Sequence, residues 1–351
     1  MQRRLAFDNV ENFEAHNARI VVIGSGGAGC NTISRLSELG VEGAEVVAMN
    51  TDAKHLSVTK AQRKILLGKE TTKGLGAGGY PELGKQAALE SKSEIKSLLA
   101  NADLVFLTCG LGGGTGTGSL PVIAKFAKEE GAIVIAVVTL PFKIEGARIE
   151  KAEQGLAELR KVCDTVIVIE NQRLLKLAGK QPLKKAFAVA DDLIATMIKG
   201  ITETISQPSL VNLDFADVRA VMRSGGVASI GVGYSNAEEE RALEAIEKAL
   251  NHPLLNVDYQ GATGALIQII CSEDVTLEEI NYIGERVMEM LDPQAQVIWG
   301  ARIAKGFEGI QVITIITGVK SPYILGPIQY ETTKQKEVVT EDADLGIEII
   351  K

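Results

Sequence analysis

Apolar residues along the chain fall into short continuous runs, separated by longer stretches that carry a single apolar stripe. The runs at 19–23 (RIVVI), 45–49 (EVVAM), 103–109 (DLVFLTC), 132–138 and 165–169 (TVIVI) are rich in β-branched residues. Each reads as a strand buried on both faces. Between them, 30–39, 82–99, 119–130 and 148–161 read as helices, with Ile33 and Leu36 lining the first and Leu83, Ala87, Ile95, Leu98 and Leu99 the second. Strands alternating with helices predict a parallel sheet covered on both sides. Residues 183–206 read as one long helix, because Phe187, Ile194, Ile198, Ile201 and Ile205 follow three-and-four spacing until Pro208. The pattern then changes. Strands are predicted at 228–234, 264–271, 296–303 and 310–318, the last two paired as a hairpin. Asn236 with Glu239 reads as a capping box for a helix to about 250, and Thr276 with Glu279 as another for a helix to Leu291.

The fold class is therefore α/β, with a second, smaller α+β unit. The segments are a polar arm (1–18), a parallel-sheet domain (19–182), a central helix (183–207), a loop and α+β domain (208–318) and a mostly unstructured tail (319–351). A length of 351 residues suits two domains.

Composition narrows the function. With 46% hydrophobic residues the chain buries enough apolar surface to fold, which excludes disorder as its main state. The formal charge of −8 and only 4% aromatics argue against a nucleic-acid partner, which calls for a basic face and stacking rings. Cys30, Cys109, Cys163 and Cys271 form no CxxC pair, and His16, His55 and His252 are scattered, so no zinc site, disulfide framework or other resident metal is expected. Cys30 and Cys109 read as small fillers. The N-terminus has no apolar signal core, and the run 132–138 is far shorter than the roughly 20 residues that span a bilayer. The expectation is a cytoplasmic protein with no direct membrane insertion.

Glycine brings in the chemistry. Of 36 glycines, 14 lie in three clusters at 24–29, 74–79 and 110–118. The first follows a strand and opens a helix, where backbone N–H groups and the helix dipole converge on an anion. Gly24, Gly26 and Gly29 fit GxGxxG, so this loop alone resembles a dinucleotide loop, or a tight strand-to-helix turn. The third runs Gly112-Gly113-Gly114-Thr115-Gly116-Thr117-Gly118 and holds no lysine, so it is not a P-loop. Two phosphate-type loops in one parallel sheet point to a nucleotide di- or triphosphate gripped from both sides.

GGGTGTG resembles the defining loop of the tubulin and FtsZ superfamily. The resemblance extends over roughly 19–318, through VVIGSGGAGCN, AMNTDA, TKGLGAGG, TCGLGGGTGTG, LPFKIEG, AEQGL and NLDFADVR. It implies a Rossmann-like GTP-binding domain, a long central helix and an α+β domain. It also implies GTP and GDP binding, Mg²⁺, head-to-tail polymerisation and GTP hydrolysis for a division ring at mid-cell. By this resemblance Gly26, Gly27 and Asn31 belong to the first phosphate loop. Ala77, Gly78 and Gly79 sense the γ-phosphate, and Gly114, Thr115, Gly116 and Thr117 cradle the phosphates. Glu145 accepts from the ribose, Arg148 lies near sugar and phosphates, and Asn171, Phe187 and Asp191 hold guanine. A carboxylate suits guanine, whose N1–H and exocyclic amine both donate. Asn212, Asp214 and Asp217 fall in the segment that resembles the synergy loop, which completes the neighbouring subunit's site. Read from pattern alone, the two aspartates three apart at a helix start are equally N-caps and dipole partners.

Three departures stand out. The spacing Glu145-Gly146-Ala147-Arg148 is one residue short, and Tyr80 replaces a small polar residue. The tail lacks the bacterial partner-binding peptide and ends in an apolar-acidic segment, 344–351, read as a docking peptide for a membrane-anchoring or division partner. The resemblance leans towards the archaeal branch. Two other readings stay open: a tubulin-like protein of cell shape or a regulatory paralogue, and an NAD-dependent oxidoreductase, which leaves GGGTGTG unexplained.

Overall fold

The computed structural model describes residues 18–207, 209–211, 213–223, 226–251 and 257–319. The arm up to residue 17, Asn212 and the tail from 320 lie outside the described residues. The first half alternates as expected. Strands β1 (Ile20–Ser25), β2 (Ala44–Asn50), β3 (Arg63–Leu66), β4 (Leu104–Gly110), β5 (Ile133–Leu140) and β6 (Thr165–Glu170) form its sheet. They are joined through helices α1 (Gly26–Leu39), α2 (Ala53–Val58), α3 (Lys69–Thr72), α4 (Pro81–Glu90), α5 (Lys92–Leu99), α6 (Thr115–Glu129) and α7 (Ala147–Val162). Helix α8 (Asn171–Ala178) leads to the long helix α9 (Leu183–Ser206), then α10 (Phe215–Arg223). The second half holds β7 (Gly226–Ser235), α11 (Arg241–Leu250), β8 (Gly264–Cys271), α12 (Leu277–Met288), β9 (Gln296–Ile303) and β10 (Ile310–Thr317).

One ten-stranded sheet runs through both halves in the order β3-β2-β1-β4-β5-β6-β7-β10-β8-β9. The first six strands are parallel, in the doubly wound order that reverses between β1 and β4. Alternate residues of β1 serve opposite cores. Val22 packs with Ile33, Phe106, Ile194 and Ile198 under α1 and α9, whereas Val21 and Ile23 pack with Leu98, Leu120 and Ile123 under α5 and α6. A third core around Ile246, Ile267, Ile283 and Val312 fills the second half. Each such side chain contributes about 1.5–3 kcal/mol by leaving water.

The expected hairpin at the end is not there. β10 lies between β7 and β8, antiparallel to both, while β9 pairs parallel with β8 at the sheet edge. Burial explains the order. Ile310, Val312, Ile313, Ile315 and Ile316 make β10 apolar on both faces, so it takes a central place, whereas β9 is half exposed and suits an edge. The Asn236–Glu239 capping box is also absent, because α11 starts at Arg241 after Glu240 in the left-handed region. Ser235 holds that turn instead, accepting the Ala237 N–H at 3.2 Å and donating to Glu244. The Thr276–Glu279 box does form, opening α12. The helix expected over 82–99 breaks at Ser91, whose hydroxyl accepts the Gly68 N–H at 3.0 Å. Helices α1 and α6 begin four residues earlier than their periodicity suggests, so the glycine clusters themselves form the first helical turns. Among the described residues no helix is long and apolar enough to cross a membrane.

Candidate functional site

In a doubly wound sheet the crevice opens at the carboxyl ends of the strands, where the order reverses. Both glycine-led helices start there. Gly24 must lack a side chain, because a Cβ would lie 2.3 Å from the Gly29 carbonyl oxygen and block α1 from starting at the strand end. Gly26, at φ +74°, lets the first loop turn against the third, its Cβ position lying 3.0 Å from Gly116 N. A Cβ at Gly114 would meet Tyr80 N at 2.8 Å and the Ala77 Cβ at 2.9 Å, so the second loop touches the third as well. The three clusters thus form one surface of bare backbone, flanked by the N-termini of α1 and α6. That arrangement suits a polyanion.

Hydroxyl pairs lock this surface. Ser25 Oγ and Ser119 Oγ are 2.7 Å apart, and Thr51 Oγ1 and Thr115 Oγ1 are 2.6 Å apart. Thr117 is buried, and its hydroxyl oxygen accepts the Gly112 N–H at 2.9 Å, so here it braces the loop rather than facing outward. Gly78 and Gly79 both have positive φ, and Lys151 Nζ donates to the Gly79 carbonyl at 2.8 Å while lying 5.5 Å from the Tyr80 ring. Tyr80 therefore joins Lys151 in holding the second loop.

Beside the loops lies a cavity of about 640 Å³, large enough for a nucleoside. It is lined by Gly27, Asn31, Asn171, Phe187 and Asp191 from the expected set, together with Thr32, Arg35, Thr108, Thr139 and Lys184. Phe187 is 40% exposed, and its ring packs T-shaped with that of Phe142, centroids 5.7 Å apart. Burial pushes the Asp191 carboxyl up to about 6, against the pull of a 2.7 Å hydrogen bond from Thr32 and with a push from Asp192. Burial likewise raises the thiols of Cys30 and Cys109, so both stay neutral fillers at pH 7. Glu145 is engaged within the chain, accepting the Phe142 N–H at 2.9 Å and pairing with Arg148 at 2.7 Å. The Arg148 backbone abuts the third loop, since a Cβ at Gly112 would lie 2.7 Å from its carbonyl oxygen.

Asp214 and Asp217 lie elsewhere. Phe187 is near the start of α9, whereas the two aspartates follow its far end. From Phe187 to Ser206 the helix rises roughly 28 Å, at about 1.5 Å per residue. Asp214 accepts the Asp217 N–H at 2.7 Å, so it also caps α10. Thr32, Thr51 and Lys151 were not singled out from the sequence, and nothing in their spacing marks them, because each acts through a partner distant in the chain. Among the described residues, no three His, Cys, Asp or Glu side chains come together to hold a metal ion.

The comparisons agree with this geometry. Residues 19–179 match the Tubulin/FtsZ family, GTPase domain, and residues 226–320 the FtsZ family, C-terminal domain. The chain is 56% identical over 329 residues to Cell division protein FtsZ 2 of Methanocaldococcus jannaschii, covering 93% of this chain and 86% of that one. It is 57% identical over 313 residues to Cell division protein FtsZ 1 of Pyrococcus furiosus, covering 89% and 84%. The solved FtsZ dimer of M. jannaschii superposes with a TM-score of 0.81 at 52% identity, covering 86% of this chain and 88% of that one. CetZ2 from Haloferax volcanii, at 24% identity and a TM-score of 0.73 over 86% and 93%, shares the fold. A doubly wound sheet with three glycine loops, matched over 19–179 by the Tubulin/FtsZ GTPase domain, thus defines a tubulin-like GTPase. Within that class the chain belongs to the FtsZ family of cell-division proteins, and it binds guanine nucleotide and hydrolyses GTP.

Proposed function

We propose that this protein polymerises head to tail into filaments of a cytoplasmic division ring at mid-cell, and that each GTP is hydrolysed at a junction between two subunits. GTP lies in the cavity of one subunit, guanine between Asn171, Phe187 and Asp191, phosphates on Gly26, Gly27, Asn31, Ala77 to Gly79 and Gly114 to Gly116, with Thr117 bracing the third loop behind them. Glu145 and Arg148 face the sugar. Asp214 and Asp217 of the next subunit, with Asn212, position and polarise the attacking water, since phosphoryl transfer needs orientation and charge stabilisation more than covalent help. The glycine cradle receives phosphate through backbone N–H groups and, among the described residues, offers no carboxylate cluster of its own, so Mg²⁺ would enter together with the nucleotide. The ion's chemical contribution is to offset phosphate charge. The 344–351 segment recruits a membrane-anchoring partner.

The observation that carries the reading is the separation of the Asp214–Asp217 pair from the cavity by the length of α9. One chain holds both halves of a hydrolytic site but does not bring them together. GTPase rate per subunit, followed with light scattering across a dilution series, tests this. Turnover that climbs steeply above an assembly threshold is the expected result. A rate per subunit that stays constant through dilution refutes it.

A further inference from the structure

We propose that Thr32 is a positioning residue for guanine recognition: its hydroxyl holds one oxygen of the Asp191 carboxylate and so presents the other to the base. The proposal rests on the reading that Asp191 receives guanine.

Thr32 is buried on α1, and its Oγ1 lies 2.7 Å from Asp191 Oδ1 on α9. The same hydroxyl is 3.3 Å from the Ala28 carbonyl, the acceptor one helical turn back. A hydroxyl has one proton to donate, and a charged acceptor at the shorter distance takes it. Thr32 therefore gives up its ordinary in-helix bond to fix a carboxylate on another helix. Both residues line the cavity, so the bond sits in the wall that a base would touch.

The neighbouring charges do not take over this task. On α1, Arg35 is bound to Asp192 and pairs with Glu38 at 3.5 Å. On α9, Asp192 raises the Asp191 carboxyl, and Lys184 lies about two turns earlier. From β4 the Cys109 thiol is neutral, and from α8 Asn171 has no titration. Burial favours the protonated form of Asp191, and the Thr32 hydrogen bond opposes it. Without that bond the carboxylate loses both its aim and part of its charge near neutral pH.

Calorimetric titration with GDP and with IDP, which lacks the exocyclic amine, tests the proposal on dilute protein between pH 5 and 8. The variants are Thr32→Val, Thr32→Ser and Asp191→Asn, with Thr32→Ala in place of the first should it not fold. Wild type prefers GDP and loses affinity as pH falls through about 6. Any pH dependence left in Asp191→Asn belongs to the diphosphate and is subtracted. Thr32→Val should bind GDP on the order of tenfold more weakly at pH 7, as expected for one charge-assisted hydrogen bond. It should lose less for IDP and have its acid midpoint moved upward. Thr32→Ser should restore all three. Unchanged GDP-to-IDP ratio and midpoint in Thr32→Val overturn the proposal while leaving Asp191 in place. A GDP-to-IDP ratio in Asp191→Asn equal to wild type overturns the assignment of Asp191 itself.

Discussion

At Asp191 binding and stability pull in opposite directions. Burial raises its carboxyl to about 6, above the ordinary aspartate value of 3.8. Between those values the folded state binds more protons than the unfolded state, so this residue's contribution to stability is present below pH 3.8 and lost as pH rises through 6. At pH 8 the partly buried charge destabilises the nucleotide-free fold, by about 1–2 kcal/mol once partial exposure is allowed for. Asp191→Asn should therefore raise the melting temperature of nucleotide-free protein by roughly 2–4 °C at pH 8. The gain should shrink at pH 5, and guanine binding should weaken strongly at pH 8 and much less at pH 5, where the wild-type carboxyl is largely protonated. Melting curves at the two pH values, with and without GDP, check this. The residues themselves were partly legible. Asp191 and Phe187 could be placed on a helix, and family resemblance supplied their role. Thr32 could not be found, because its partner is 159 positions away.

Among elements, α4 and α6 cross at a close backbone contact. A Cβ at Gly118 would lie 1.9 Å from the Pro81 carbonyl oxygen, and one at Gly84 would lie 2.3 Å from that of Gly114. Two helices without side chains at the crossing bring the second loop, just before α4, onto the third. Gly118→Ala should force them apart, lowering stability by about 1–3 kcal/mol and weakening nucleotide binding together. Denaturant unfolding and GDP titration measure the two effects. A loss of stability with full affinity would show that the loops do not depend on this contact. Elements with a strong period were readable: β1, β4, β5, β6 and α9 stand where the apolar pattern put them. Short pieces such as β3 and α2 were not, since four to six residues carry too little periodicity. Strand partners at the C-terminal end were misread because a short connection suggests a hairpin, while the all-apolar faces of β10 demand a central position.

At the scale of the whole molecule, the Asp191-lined cavity and the Asp214–Asp217 segment lie towards opposite ends of α9, as the proposed inter-subunit hydrolysis requires. A heterologous, head-to-tail contact then makes open filaments rather than closed dimers. Asp217→Ala subunits keep an intact cavity and should bind GTP and assemble with little hydrolysis. Asp191→Ala subunits keep an intact loop but a weakened cavity. Mixed in equal amounts, the two should regain hydrolysis at roughly a quarter of random junctions, those pairing the sound cavity with the sound loop. Phosphate release from the mixture, compared with each variant alone, measures it. A mixture no more active than the average of its parts would place catalysis within single subunits.

Guanine came only from the resemblance to the tubulin and FtsZ superfamily, whereas the apolar periods and the three glycine clusters determined the α/β class, the long helix and a nucleotide di- or triphosphate as ligand. Each is a local property: a side chain's alternation, or a backbone freed by glycine, is written within a few residues. The tertiary structure decided what depends on distant partners. It joined both halves into one sheet, set β10 inside and β9 at the edge, and let Thr32 reach Asp191. It also packed the stripe of α9, through Ile194, Ile198 and Ile201, against the sheet, which holds Asp214 and Asp217 a helix length from the cavity.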